Sequence, residues 1–328
     1  MNSTHKAEVF VITEVLPHNN ADALEVISVG SYTTCVQKGR YKAGDKIVWV
    51  LPDSLVDTDK PEFAFLKDPN KDERIVRVKA KKLRGLLSYG LVIPAPDSAN
   101  VGDDLAGHYD IQHWELPEDT TTSGDNVGAP NIFCPHYDLE NYYRYAKEVL
   151  IEGEPLHITE KLHGANCSVH FNSKDQQLYV RSRNFFKAES DKSLFWRAVK
   201  RSPELIEFCH NNPDVIVYGE AIGDVKGFQY DINKKIIKFR AFDIIKDGKW
   251  LDFEEARSFA SNIPWVPTLA NNVPFDFNAL LEYAEGRSTM CEYHVREGCV
   301  ISVTKERYHF TIGRVKLKLV GTGYFNKH

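Results

Sequence analysis

The stretch HITEKLHGANCSVHF, residues 157–171, brings a β-type run to its end at Lys161 and starts a second one after Gly164-Ala165-Asn166. A lysine between two strands, followed by a glycine turn that lets backbone approach a ligand, is placed to act as a semi-buried nucleophile. Burial or neighbouring cations lower an amine's pKa, and the neutral amine is the form that attacks. The segment also fits a surface lysine beside a hairpin turn, so the rest of the chain has to decide.

Five further segments supply what attack on a nucleotide phosphate requires. Arg181-Ser182-Arg183-Asn184 closes a strand and offers forked donors for phosphate or ribose oxygens, or else is a solvated strand end. Glu220, in VIVYGEAIG, follows apolar β residues where an unpaired carboxylate is costly; it suits ribose hydroxyls or a hydrated metal ion, or simply faces water. In IIKFRAFDII, Phe242 is placed to stack on a base while its neighbour Asp243 points the other way, although a core role fits Phe242 alone. Glu297 begins the run EGCVISV and completes a set of hard oxygen donors. Finally, VKLKLV alternates strictly, so Lys316 and Lys318 share one strand face. Two such cations repel unless an anion lies between them, the alternative being an exposed edge strand.

The segments lie in the second of two halves. Residues 8–96 read as short β runs (EVFVITEV, ALEVISVG, TTCVQ, KIVWVL, RIVRVKA, YGLVIPAP) broken by turn residues, which predicts a small barrel or sandwich without helices. Residues 116–131, LPEDTTTSGDNVGAPN, have linker composition, and the boundary is set at residue 122, giving domains 1–122 and 123–328. Beyond it, helical patterns at 139–150, 189–200, 203–211, 253–261 and 278–285 alternate irregularly with strands at 156–160, 165–171, 177–183, 214–221, 236–245, 298–303, 308–312 and 314–320. The fold class is α+β with antiparallel sheets.

Composition narrows the function. With 42% hydrophobic and 27% charged residues over 328, the chain is globular rather than disordered, and a net charge of −5 excludes a uniformly basic nucleic-acid coat. The six cysteines form no C-x-x-C pair, which speaks for a reducing compartment rather than a disulfide framework or zinc site. P-loop, dinucleotide-binding, zincin and nucleophile-elbow signatures are absent. No signal peptide or membrane-length apolar run is present, so the expectation is an intracellular, cytoplasmic protein without membrane contact, monomeric by default.

In order, Lys161-x-His163-Gly164-x-Asn166, Arg181-Ser182-Arg183, Tyr218-Gly219-Glu220, Phe242-Asp243, Glu297-Gly298-x-Val300 and Lys316-x-Lys318 resemble the motif series of the covalent nucleotidyltransferase superfamily of ligases and capping enzymes. KLHGAN after Thr-Glu is similar to the RNA ligase 2 family, where DNA ligases and capping enzymes usually carry Asp at the position of His163. The resemblance spans residues 157–320. It implies an ATP-dependent RNA ligase using Mg2+ or Mn2+. Lys161 takes AMP from ATP, AMP passes to an RNA 5′-phosphate, and a 3′-hydroxyl displaces it, at a nicked duplex or at broken RNA ends in repair. By the same resemblance Glu160 and Phe242 hold adenine, while Asn166, Arg181 and Glu220 hold the ribose and its surroundings. Lys316 and Lys318 contact the α-phosphate, and Glu220 and Glu297 lie near the metal. The family's usual lysine five residues after Glu297 is replaced by Ser302, and the ten residues after Lys318 leave no room for the phage-type C-terminal domain.

In the first half, RVKAKKLRGLLSYGLVIP (residues 77–94) and PHNNADALEVISVG (residues 17–30) resemble tRNA-binding OB modules. The implied architecture is an all-β OB-like barrel followed by an antiparallel-sheet-rich nucleotidyltransferase domain. Arg74, Arg77, Lys79, Lys81, Lys82 and Arg84 then form a candidate RNA-backbone track, and Arg181, Arg183, Lys187, Lys192, Arg197, Lys200 and Arg201 a second cluster for duplex phosphates. Two alternatives stay open: a capping-type guanylyltransferase, and a non-catalytic RNA-binding protein on a ligase fold, against which the intact lysines and acids argue.

Overall fold

A computed structural model describes residues 5–29, 32–114, 124–128, 134–223, 225, 228–230 and 236–325. The chain divides into two compact units, Met1–Pro117 and Glu118–His328. The boundary expected at residue 122 falls outside the described residues.

Among the described residues of the first unit the only helical element is a three-residue 3-10 turn, Ala64–Leu66, as the short alternating runs require. The strand Lys46–Val50 is central, pairing antiparallel with Ala7–Val11 on one side and Leu91–Pro94 on the other. It is buried on both faces because it separates two packed regions. Val48 and Val50 join Val9, Val56 and Ile93 in an aliphatic core, whereas Trp49 sits among the rings of Phe10, Tyr32 and Tyr89. A second antiparallel sheet, Val15–Pro17, Leu24–Val29 and Tyr32–Gln37, fastens the hairpin Lys81–Leu83/Leu86–Ser88. Thr33 donates to the Leu87 carbonyl, Ser88 accepts from the Cys35 N–H, and a His18 ring nitrogen meets the Leu83 carbonyl. Both residues of the hairpin turn are left-handed, Arg84 at φ 47° and Gly85 at φ 101°, which fits the strands' twist and puts Arg84 at the tip.

The second unit is built on two five-stranded sheets. The first runs Glu140–Asn141, Lys316–Val320, Gly298–Val303, Pro155–Lys161, Thr268–Pro274; the second runs Gln177–Ser182, Ala165–Asn172, Ile216–Ile222, Lys238–Lys246, Lys249–Trp250. All neighbours are antiparallel except Glu140–Asn141 beside Lys316–Val320. The helix Tyr142–Val149 and the 3-10 segment Ala279–Ala284 cover the apolar face of the first sheet; helices Leu194–Lys200, Pro203–Asn211 and Phe253–Phe259 cover that of the second. The opposite faces carry the polar side chains and approach each other, for Lys316 of one sheet reaches Asp243 of the other.

Where the structure departs from the sequence reading, the causes are local. The helix expected at 189–200 begins only at Leu194, where Ser193 accepts the Trp196 N–H as its cap, and that expected at 278–285 is a 3-10 segment. The strand expected at 308–312 is instead a small hairpin, Tyr308–His309 against Gly313–Arg314. Thr268–Pro274 (TLANNVP), not among the expected strands, forms the sheet edge with two register shifts and Asn272 at φ 52°.

Candidate active site

Lys161 is the last residue of the Pro155–Lys161 strand. Alternation sends Leu156 and Ile158 into the apolar core and His157, Thr159 and Lys161 to the inner face. Gly298, in register opposite Lys161, follows Glu297, and this brings the Glu297 Oε1 to 2.6 Å from Lys161 Nζ. The turn after Lys161 packs hard on the second sheet. A Cβ at Gly164 would lie 2.4 Å from the Ala221 carbonyl oxygen and 2.8 Å from Glu220 Cγ, so only glycine fits. That approach brings Glu220 into electrostatic range of Lys161, and Asn166 is in register opposite Glu220.

The charge balance corrects the expectation of a lowered lysine pKa. Burial disfavours the ammonium, but Glu297 and Glu220 more than offset it, and Lys161 is held above the ordinary lysine range. Lys161 rests protonated. Lys318 differs: burial lowers its pKa, the Asp138 carboxylate opposes this, and the Lys161 charge adds to the lowering.

Lys316 and Lys318 project from the inner face as alternation required, with Leu317 and Leu319 in the core behind. The anion beside Lys316 is a carboxylate of the chain itself, Asp243 Oδ2 at 2.6 Å. Asp243 also accepts from Tyr137 Oη at 2.7 Å and from both terminal nitrogens of Arg314 at 2.7 and 2.9 Å. Arg314 in turn pairs with Glu306 and lies 4.1 Å over the Trp250 ring. Burial would raise the Asp243 pKa; Arg314 and Lys316 overcome it and hold the carboxyl well below the ordinary range. Sequence reasoning missed Tyr137, Glu306 and Arg314. A buried aspartate in an apolar strand was the one signal that cations had to converge there.

Phe242 and Asp243 do not point opposite ways. Tyr218 pairs with Asp243 and Gly219 with Ala241, leaving Phe242 as the extra residue of a β-bulge. The bulge turns both side chains inward: Asp243 to Lys316, and Phe242 to Tyr137 and to an apolar wall with Leu162, Val266 and Met290. Glu160 is 1% exposed and accepts from the Ser288 hydroxyl and from the Thr289 N–H and hydroxyl, so it secures the loop leading to Met290.

The remaining expected residues are engaged elsewhere. Arg181 Nη1 donates to the carbonyls of Cys134 and Pro135 at 3.1 and 3.4 Å. Arg183 pairs with Asp138 and Lys200 with Glu189 and Asp191, while buried Lys187 donates to the Asn126 amide, so two members of the second basic cluster are held by carboxylates. In the first unit Arg74 pairs with Asp57 and Arg77 with Asp53, leaving Lys79, Lys81, Lys82 and Arg84 as the exposed cations of the candidate track. Ser302 is buried opposite His157 and Lys316, with no partner for its hydroxyl among the described residues. Lys305 lies away from the site, bonded to Asp252.

Among the described residues no cluster of three His, Cys, Asp or Glu is arranged to hold a metal by itself. Glu220 and Glu297 give a hard-oxygen pair near Lys161, which suits a Mg2+ or Mn2+ ion held mostly by water and phosphate oxygens. No helix among the described residues is long and apolar enough to cross a membrane.

Comparison with known proteins agrees with this geometry. A family model described as RNA ligase matches residues 154–320, and a model of an OB-fold domain matches residues 7–95. Among solved structures, an apo variant of Naegleria gruberi RNA ligase is similar at TM-score 0.84 and 26% identity over 99% of each chain. A variant of the same ligase solved with ATP and manganese gives TM-score 0.83 and 26% identity over 98% of each chain. Its complex with pyrophosphate gives TM-score 0.82 and 27% identity over 99% of this chain and 98% of that one. No curated protein matches the sequence.

Proposed function

The chain belongs to the RNA ligase family, and from that premise we propose that it seals RNA 5′-phosphate and 3′-hydroxyl ends with ATP through an adenylated Lys161. The observation that carries the reading is the Lys161 ammonium at a strand end, hydrogen-bonded to Glu297 and facing Lys318 and Glu220.

In the first step the Lys161 ammonium gives one proton to Glu297, its bonding partner, and the freed amine forms a bond to the α-phosphorus as the bond to pyrophosphate breaks, its second proton leaving with the pyrophosphate. Lys318 faces the developing negative charge, and Lys316 stands beside it on a strand that Asp243 fixes in place. Phe242 and the Leu162–Val266–Met290 wall supply an apolar slot for adenine, with Glu160 holding the loop behind it. Asn166, Glu220 and, through the Cys134–Pro135 backbone, Arg181 shape the ribose side. A divalent ion bound at Glu220 and Glu297 would neutralise phosphate charge. In the second step an RNA 5′-phosphate oxygen takes the adenylyl group and frees Lys161; in the third a 3′-hydroxyl closes the phosphodiester and AMP leaves.

We assign RNA, at a nicked duplex or at broken ends, as the substrate, with a repair role and RNA binding by the first unit through Lys79, Lys81, Lys82 and Arg84. The six cysteines are all free, which supports a reducing, intracellular setting, and the chain is taken as a monomer. The test is intact-protein mass after incubation with Mg2+ or Mn2+ and either ATP or GTP, followed by sealing of nicked RNA. An acid-labile AMP adduct from ATP is expected. A GMP adduct would make the chain a guanylyltransferase, and absence of any adduct would leave an RNA-binding protein. Lys82→Glu/Arg84→Glu is expected to weaken nicked-RNA binding about tenfold while adduct formation stays unchanged.

A further inference from the structure

The residues after the last strand approach the nucleophile turn. Glu285 fixes them, its Oε1 accepting from the Thr322 N–H and hydroxyl at 2.6 and 2.7 Å, and its Oε2 from the Gly323 N–H at 3.2 Å. Gly321 presses on the Ala284 carbonyl so closely that a Cβ there would lie 2.4 Å from its oxygen. So anchored, the segment places the Tyr324 hydroxyl 2.6 Å from Nδ1 of His163, two residues past Lys161.

His163 is held from two further directions, one of them backed by a third ring. Its backbone N–H donates to the Tyr230 hydroxyl at 2.7 Å, its ring stacks on Phe228 at 5.0 Å, and Phe228 stacks on His294 at 4.4 Å. Burial, with the Glu297 charge adding to it, raises the Tyr324 pKa, so the phenol keeps its proton and has it to donate to Nδ1 across the 2.6 Å contact. An imidazole that accepts at Nδ1 carries its proton on Nε2, since the bond made by one ring nitrogen sets the state of the other.

We propose that Tyr324 is a positioning residue for lysine adenylation: its hydroxyl fixes the His163 ring as the Nε2–H tautomer and ties the chain's last helix to the turn that presents Lys161. The proposal rests on the ligase reading. Substituting Tyr324 by phenylalanine removes one oxygen and leaves the ring packing in place. The experiment compares full-length wild type and Tyr324→Phe in two ways. Long-range 1H–15N correlation on 15N-histidine-labelled protein, with the His163 signal assigned by its loss in His163→Asn, reads the tautomer directly. Single-turnover formation of the Lys161–AMP adduct across ATP concentrations separates binding from the chemical step.

The expected result is a clean Nε2–H signature in wild type, a mixed one in Tyr324→Phe, and an adenylation rate at saturating ATP about tenfold lower with unchanged half-saturation. An unchanged tautomer signal, or a changed signal beside an unchanged rate, overturns the proposal. If wild type itself forms no adduct, the ligase reading fails and takes the proposal with it, an outcome distinct from an active wild type beside an equally active variant.

Discussion

Two lysine–carboxylate pairs stand in the catalytic unit at the same separation, 2.6 Å, and they behave oppositely. In the Lys161–Glu297 pair the lysine side chain is 23% exposed, and the surrounding carboxylates raise its pKa. In the Lys316–Asp243 pair the lysine side chain is 6% exposed, its pKa is lowered, and the carboxylate is shared with Arg314 and Tyr137. Distance alone therefore says little about what a pair is for. A carboxylate holding one partly exposed lysine can hand it over when a phosphate arrives. One saturated by two cations and a phenol is scaffold, and breaking it exposes buried charge.

The largest effect that sharpens this contrast is Lys161→Ala, expected to lower adduct formation by at least ~10³-fold while leaving the melting temperature within about 2 °C of wild type. Residual adduct in that variant would remove Lys161 from the role of nucleophile. Asp243→Ala comes next: stranding Arg314 and Lys316 is expected to cost about 3–5 kcal/mol in urea unfolding, whereas Glu297→Gln costs about 1 kcal/mol. Equal losses in the two variants would erase the distinction.

The pairs also separate by pH. The depressed Asp243 carboxyl contributes stability that is present above its unfolded pKa of about 3.9 and is lost as pH falls toward the low folded value. The raised Lys161 contributes stability present below its unfolded pKa of about 10.4 and lost as pH rises through the folded one. Unfolding free energies from pH 2 to 11 should show the acid limb flattened in Asp243→Asn and the alkaline limb flattened in Lys161→Met. Smallest of all is Ser302→Ala, on the strand that joins the two pairs. Removing a buried hydroxyl without a partner among the described residues is expected to change stability by less than about 1 kcal/mol and adduct formation not at all. A larger loss in either would give Ser302 a share in holding Lys316.

The members of both pairs stand out in the sequence, but neither pairing does. Lys161 announces itself by a strand ending at a glycine turn, and strict alternation in VKLKLV placed both later lysines on the inner face before any coordinates. The clamp on Asp243 joins residues 137, 243, 306, 314 and 316, which only the packing of two sheets brings together. Nor does strand periodicity reveal a bulge, so Phe242 and Asp243 were read onto opposite faces. Local pattern also cannot say whether a cation is free. Arg74 and Arg77 looked like members of an RNA track and are spent on Asp57 and Asp53.

The resting charge on Lys161 has a bearing on survival in a crowded cell. Unprotonated amines attack aldehydes, acyl phosphates and thioesters, so a lysine kept neutral is open to adventitious modification. Held as an ammonium against Glu297, Lys161 is masked in the manner of a synthetic protecting group. Glu297 thereby keeps the Lys161 amine in the form that does not react with them.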